Sequence, residues 1–147
     1  MLDIRSERRV VDLLGGPNML GLNGSGATAW IYAIRNGFLT AALDSLGQSL
    51  NATNVELAQM LGISTRALGG RRRKGGLSAV ESERLLRATC AIARAEDVFD
   101  DLNRGLLWLK QPNSSLGGEA PISLLDTEIG ARLVTAALGR IEHGVFA

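Results

Sequence analysis

The chain has 147 residues, 46% hydrophobic and only 4% aromatic, enough for one compact domain or two small ones whose Leu, Ala, Ile and Val content favours helices. One cysteine, Cys90, excludes an intrachain disulfide, one histidine, His143, leaves little for a metal cluster or catalytic triad, and no apolar run nears the ~20 residues of a membrane helix. The net charge of +1 hides an asymmetry: residues 39–75 carry five basic and two acidic side chains, and residues 96–147 carry four and eight, so two surfaces with different partners are expected.

In chain order, Arg5 to Leu14 predicts a short helix stopped by Gly15-Gly16-Pro17. Leu20 to Ala27 is rich in Gly, Asn and Ser and predicts a loop. Its run Gly21 to Thr28 has neither the lysine nor the preceding apolar strand of a phosphate-binding loop, so nucleotide binding is not expected there. A helix follows over Ala27 to Gly37, with Trp30, Ile34 and Phe38 available for packing. Leu39, Ala42, Leu43, Leu46 and Leu50 recur at helical spacing as one apolar stripe. Asn51 and Thr53 supply turn or capping chemistry.

Asn54 to Leu68 reads as a helix, a glycine turn and a second helix that ends in Arg71-Arg72-Arg73-Lys74. Ala58 and Gly62 are the small residues that a close helix crossing and a positive-φ turn need, and Leu57, Leu61, Ile63 and Leu68 hold the pair together. Ser64 is placed to cap the second helix, which leaves Thr65 and Arg66 to face base edges. Gly69-Gly70 departs from this pattern: one turn beyond Thr65 and Arg66 the groove-facing positions have no side chains, and each interior glycine costs roughly 1 kcal/mol against Ala. The second helix is therefore expected to be frayed, or ordered by its surroundings. The basic block suits phosphates without reading sequence. The DNA-binding candidates are thus Ser64, Thr65, Arg66, Arg71, Arg72, Arg73 and Lys74. The alternative is a plain helical pair with a solvated basic end.

Ser78 and Glu81 form a capping-box pattern at the start of a helix that runs to about Phe99. Cys90 lies within it as a core residue. Asp101 to Leu109 predicts a further helix, Pro112 to Gly118 a loop, and Ile122 to Leu125 a short helix begun by Pro121. Asp126 or Thr127 caps the last helix, whose buried face is read as Ile129, Leu133, Val134, Ala137, Leu138 and Ile141. Gly144 ends it, with Val145 as a hydrophobic cap contact, and His143 stands as a neutral group or a C-terminal helix cation. With no competing strand signal, the fold class is all-α.

Pro112-Asn113, Leu116-Gly117-Gly118, Pro121, Leu124 to Glu128, Gly130, Val134 and Leu138-Gly139-Arg140-Ile141-Glu142, leading to Gly144-Val145-Phe146, resemble the Xre/MbcA/ParS-type antitoxins of RES–Xre toxin–antitoxin pairs. The resemblance covers roughly Leu39 to Ala147. It implies an Xre-like helix-turn-helix that represses its own operon, and a C-terminal domain that blocks the NAD site of a RES-domain toxin. The toxin-binding positions implied are Asn113, Leu116, Gly117, Arg140, Glu142, Val145 and Phe146. The expected organisation is an N-terminal region over 1–38 with a possible role in dimerisation, a helix-turn-helix domain over 39–95 and a toxin-binding domain over 96–147. The reading is a cytoplasmic, homodimeric antitoxin with no catalytic residue, metal or cofactor, whose partners are a RES-domain toxin and operator DNA, and not a membrane. A stand-alone dimeric regulator with a C-terminal dimerisation or ligand-sensing domain is the alternative, and an oligomeric scaffold with a degenerate DNA motif is a third.

Overall fold

A computed structural model describes residues 4–144, with side chains from Ser6 onward. The described residues fold as helices with no strand among them; an isolated antiparallel bridge joins Leu39 to Gly76. The chain divides into two compact units, Met1–Leu86 and Arg87–Ala147.

In the first unit, α1 (Ile4–Leu13) and the four-residue α2 (Pro17–Leu20) pack on α4 (Thr40–Leu50). The turn at Pro17 was expected only as the end of α1, but Pro17 at the first helical position suits a fresh start. Val10, Leu13, Leu14 and Leu20 meet Ala42, Leu43, Leu46 and Leu50 in the core. Trp30 on α3 (Ala27–Asn36) donates its indole N–H to Glu7 on α1 at 2.8 Å and stands edge-on to Phe38. Leu39, read as part of the α4 stripe, is instead the exposed, extended residue before α4. The residues on either side of it make the pairing: Thr40 N–H donates to Gly75 O at 3.0 Å, and Leu77 N–H to Phe38 O at 2.9 Å, while Leu39 N–H itself donates to Met19 O at 3.0 Å. Fully buried Ser82 completes this junction by accepting the Phe38 N–H at 2.8 Å and donating to Ser78 O at 2.7 Å.

Next come α5 (Asn54–Leu61) and α6 (Thr65–Lys74). Thr53 and Glu56 exchange a capping box at the start of α5. Gly62 ends it in the left-handed region at φ 67°, where Ile63 N–H returns to Ala58 O at 3.0 Å. This turn brings α6 back onto α5, with Leu57, Ala58, Leu61 and Leu68 buried. Helix α7 (Ala79–Phe99) begins in the first unit and continues into the second.

The second unit adds α8 (Leu102–Lys110), single 3-10 turns at Ser114–Leu116 and Pro121–Leu124, and α9 (Glu128–Glu142). Asp101 caps α8 and Thr127 caps α9, both through side-chain oxygens. Ala88, Ala91, Ile92, Ala95, Leu109, Leu125, Val134 and Leu138 form its core. Ile129 and Leu133, expected on the buried face of α9, are exposed; Gly130 and Ala131 are buried in their place. Gly130 lies so close to Leu124 O that a methyl group there would overlap it, so this side of α9 faces the Pro121–Leu124 turn. The expected cap contact of Val145 lies outside the described residues.

Candidate DNA and toxin interfaces

The second helix of the helix-turn-helix is continuous through Gly69-Gly70. Its surroundings supply the order that the two glycines do not. Buried Leu68 anchors one side. Past the glycines, Arg71 Nε donates to both carboxylate oxygens of Glu81, at 2.8 and 3.0 Å. Arg72 donates to Asp44 on α4, through Nη2 at 2.9 Å and Nε at 3.2 Å, and through Nη1 to Asn54 at 2.8 Å. The basic end is therefore two different things. Arg71 ties α6 to buried Glu81 at the start of α7 and Arg72 ties it to Asp44 and Asn54 at the surface, whereas Arg73 and Lys74 are exposed and make no ion pair with a described residue.

At the other end of α6, Ser64 Oγ accepts the Ala67 N–H at 3.0 Å, so the serine acts as the cap. Thr65 and Arg66 are exposed beside it, in the first turn, where side chains and backbone N–H groups can approach a nucleic acid together. Glu81 is only 4% exposed, and its carboxylate also accepts the Ser78 N–H at 2.9 Å. The hydrogen bond from Arg71 holds this carboxyl below the usual carboxylate range, against the opposing effect of burial, and raises Arg71 in turn. Arg84 adds a hydrogen bond to Leu61 O at 3.0 Å, under the Gly62 turn. Sequence reasoning missed Asp44, Asn54 and Arg84 in these roles. The one local signal was the Ser78–Glu81 capping box, which placed Glu81 but not its arginine.

In the second unit, the positions implied by the resemblance have distinct environments. Asn113 organises its loop: Oδ1 accepts from Ser115 N–H at 3.0 Å and Ser115 Oγ at 2.6 Å, and its carbonyl accepts from Leu116 and Gly118. Leu116 is buried, and Gly117 is left-handed at φ 69°. Glu142 forms a forked pair with Arg94 on α7, Oε2 to Nη1 at 2.8 Å and Oε1 to Nη2 at 2.9 Å, which holds its carboxyl below the usual range. Arg140 is half-buried and has no ion pair with a described residue. Val145 and Phe146 lie outside the described residues. Burial pushes the Cys90 thiol up to about 12, so it carries no thiolate chemistry at neutral pH. His143 is the C-cap residue of α9. Among the described residues, no cluster of His, Cys, Asp and Glu could hold a metal ion, and no helix is long and apolar enough to cross a membrane.

Two family models match this chain: the antitoxin Xre-like helix-turn-helix domain over residues 29–88, and the antitoxin Xre/MbcA/ParS C-terminal toxin-binding domain over residues 94–144. An antitoxin Xre of Yersinia enterocolitica is 36% identical over 129 residues, 86% of this chain and 87% of that protein. An antitoxin Xre of Pseudomonas putida is 33% identical over 112 residues, covering 76% of this chain and 69% of that protein. A Sphingobium protein named Prs ADP-ribosylating antitoxin is 39% identical over 80 residues, 48% of this chain and 50% of that protein. With a match to a helix-turn-helix followed by a match to a toxin-binding domain, and relatives named as antitoxins, the chain belongs to the Xre/MbcA/ParS family of antitoxins.

Proposed function

We propose that this antitoxin neutralises a RES-type, NAD-depleting toxin by placing its C-terminal end, with Val145 and Phe146, in the toxin's active site, and that it represses its own operon as a cytoplasmic homodimer. The observation that carries the reading is the C-terminal run Leu138 to Phe146, which resembles the end of antitoxins paired with RES toxins and lies largely within the toxin-binding match. The name of the Sphingobium relative favours a variant of the reading, in which the toxin uses NAD to transfer ADP-ribose instead of merely cleaving it. Both variants need a toxin that consumes NAD. Co-expression with the toxin of the same operon tests the mechanism. The full chain is expected to preserve cellular NAD and growth, and a chain lacking Gly144 to Ala147 to restore toxicity. Equal protection by the shortened chain would remove the tail from the mechanism.

In the DNA half, Thr65 and Arg66 are the candidates for base contact, and Arg73 and Lys74 for phosphate contact. Replacing both Arg73 and Lys74 by Ala is expected to weaken operator binding about tenfold and to lower the salt slope by about two, since each lost phosphate contact removes roughly one released counterion. The melting temperature should not change. Arg72→Ala is expected to lower the melting temperature as well, because Asp44 and Asn54 lose their partner. Fluorescence anisotropy against operator DNA at several salt concentrations reads the first effect and thermal melts the second. An unchanged salt slope would show that the exposed basic pair does not touch phosphate.

A further inference from the structure

We infer that the toxin docks on a second apolar face of α9, formed by Ile129, Leu133 and Ala136 and ended by Arg140. The spacing of four, three and four residues places these side chains within about 60° of arc at 3.6 residues per turn. Ile129 is 76% exposed and Leu133 49%, and Ala136 is exposed beside them. A different face of the same helix, with Gly130, Ala131, Val134, Ala137 and Leu138, is the one buried in the unit. A third carries Glu128 and Arg132, paired with each other at 2.9 Å. The stripe is thus apolar surface that the described fold does not cover, on a helix whose polar residues have a face of their own. Such a surface marks an interaction site.

Two observations select the occupant. The stripe lies inside residues 94–144, which match a domain described as toxin-binding. Arg140, at the C-terminal end of the stripe, has no ion pair with a described residue although residues 96–147 are acidic overall. The chemistry sought is therefore an apolar seat on the toxin bordered by a carboxylate that meets Arg140. Docking there would set the last turn of α9 on the toxin surface. The inference deepens the toxin-neutralising reading and rests on it.

The test is the dissociation constant of the complex with the toxin of the same operon, measured by titration calorimetry for the full chain and its variants. Replacing Ile129 and Leu133 together by Asp is expected to weaken the complex at least 100-fold, and Arg140→Glu about tenfold, with the melting temperature unchanged because these side chains are not in the core. The double Ala variant, which keeps the helix, is expected to lose about tenfold, and Arg132→Ala on the charged face to lose nothing. Affinities within twofold of wild type for both double variants would overturn the docking face. So would loss of self-association in light scattering with toxin affinity intact, which would assign the stripe to a second copy of the chain. Failure of the unaltered chain to bind the toxin would instead overturn the antitoxin reading and the docking face together.

Discussion

Gly130→Ala is expected to lower the melting temperature of the protein, whereas Gly139→Ala, nine positions later in the same helix, is expected to raise it slightly. Helix propensity alone favours Ala over Gly by roughly 1 kcal/mol at both positions. The surroundings decide the sign. A methyl group at Gly139 meets nothing within 4 Å. At Gly130 it would overlap Leu124 O and come within 3.0 Å of Leu124 Cβ. The obstacle is backbone, which cannot swing aside as a side chain could. The start of α9 would have to lift off the Pro121–Leu124 turn, at the cost of the packing of Val134 and Leu138 behind it. Overpacking of this kind costs about 1–3 kcal/mol or more and outweighs the propensity gain. Circular-dichroism melts of the two variants check this. A higher melting temperature for Gly130→Ala would mean that the approach to Leu124 is not tight.

Glu81→Gln is expected to destabilise the first unit by about 2 kcal/mol at neutral pH, since it removes the charged acceptor of Arg71 and weakens the cap on Ser78 in a buried setting. The same carboxylate gives the unit an acid-sensitive limb. Its folded pKa lies below the unfolded value, near 4.3, so its contribution is fully present above that value and is lost as pH falls through the folded pKa. Wild type and Glu81→Gln should therefore differ most near neutral pH, and the gap should narrow as pH falls below the ordinary carboxylate range. Urea unfolding followed across that range measures the gap. A gap that stays constant with pH would show that the Glu81 charge contributes nothing.

The helices were legible because apolar periodicity and capping residues act locally. The Ser78–Glu81 box and the end of α7 at Phe99 both follow from residues within a turn or two of each other. What escaped depends on distant pairing. The sequence presents Arg71 to Lys74 as one basic block, and only the fold divides it, because Asp44 comes from α4 and Asn54 from α5. Leu39 has the right spacing for the α4 stripe but is drawn out by its pairing with Gly76. Ile129 and Leu133 are apolar at helical spacing, yet side-chain type does not say which face of α9 meets the core. The buried face includes the close approach of Gly130 to Leu124, a contact that no pattern in the chain announces. The functional assignment came from a third kind of signal, the C-terminal motif, whose meaning lies in a partner and not in this chain's own packing.

NAD consumption by the purified toxin of the same operon, titrated with this protein, tests the proposed function. NAD cleavage or ADP-ribose transfer is expected to fall to background at a fixed molar ratio of the two chains. Undiminished NAD consumption in the presence of a stable complex would contradict it.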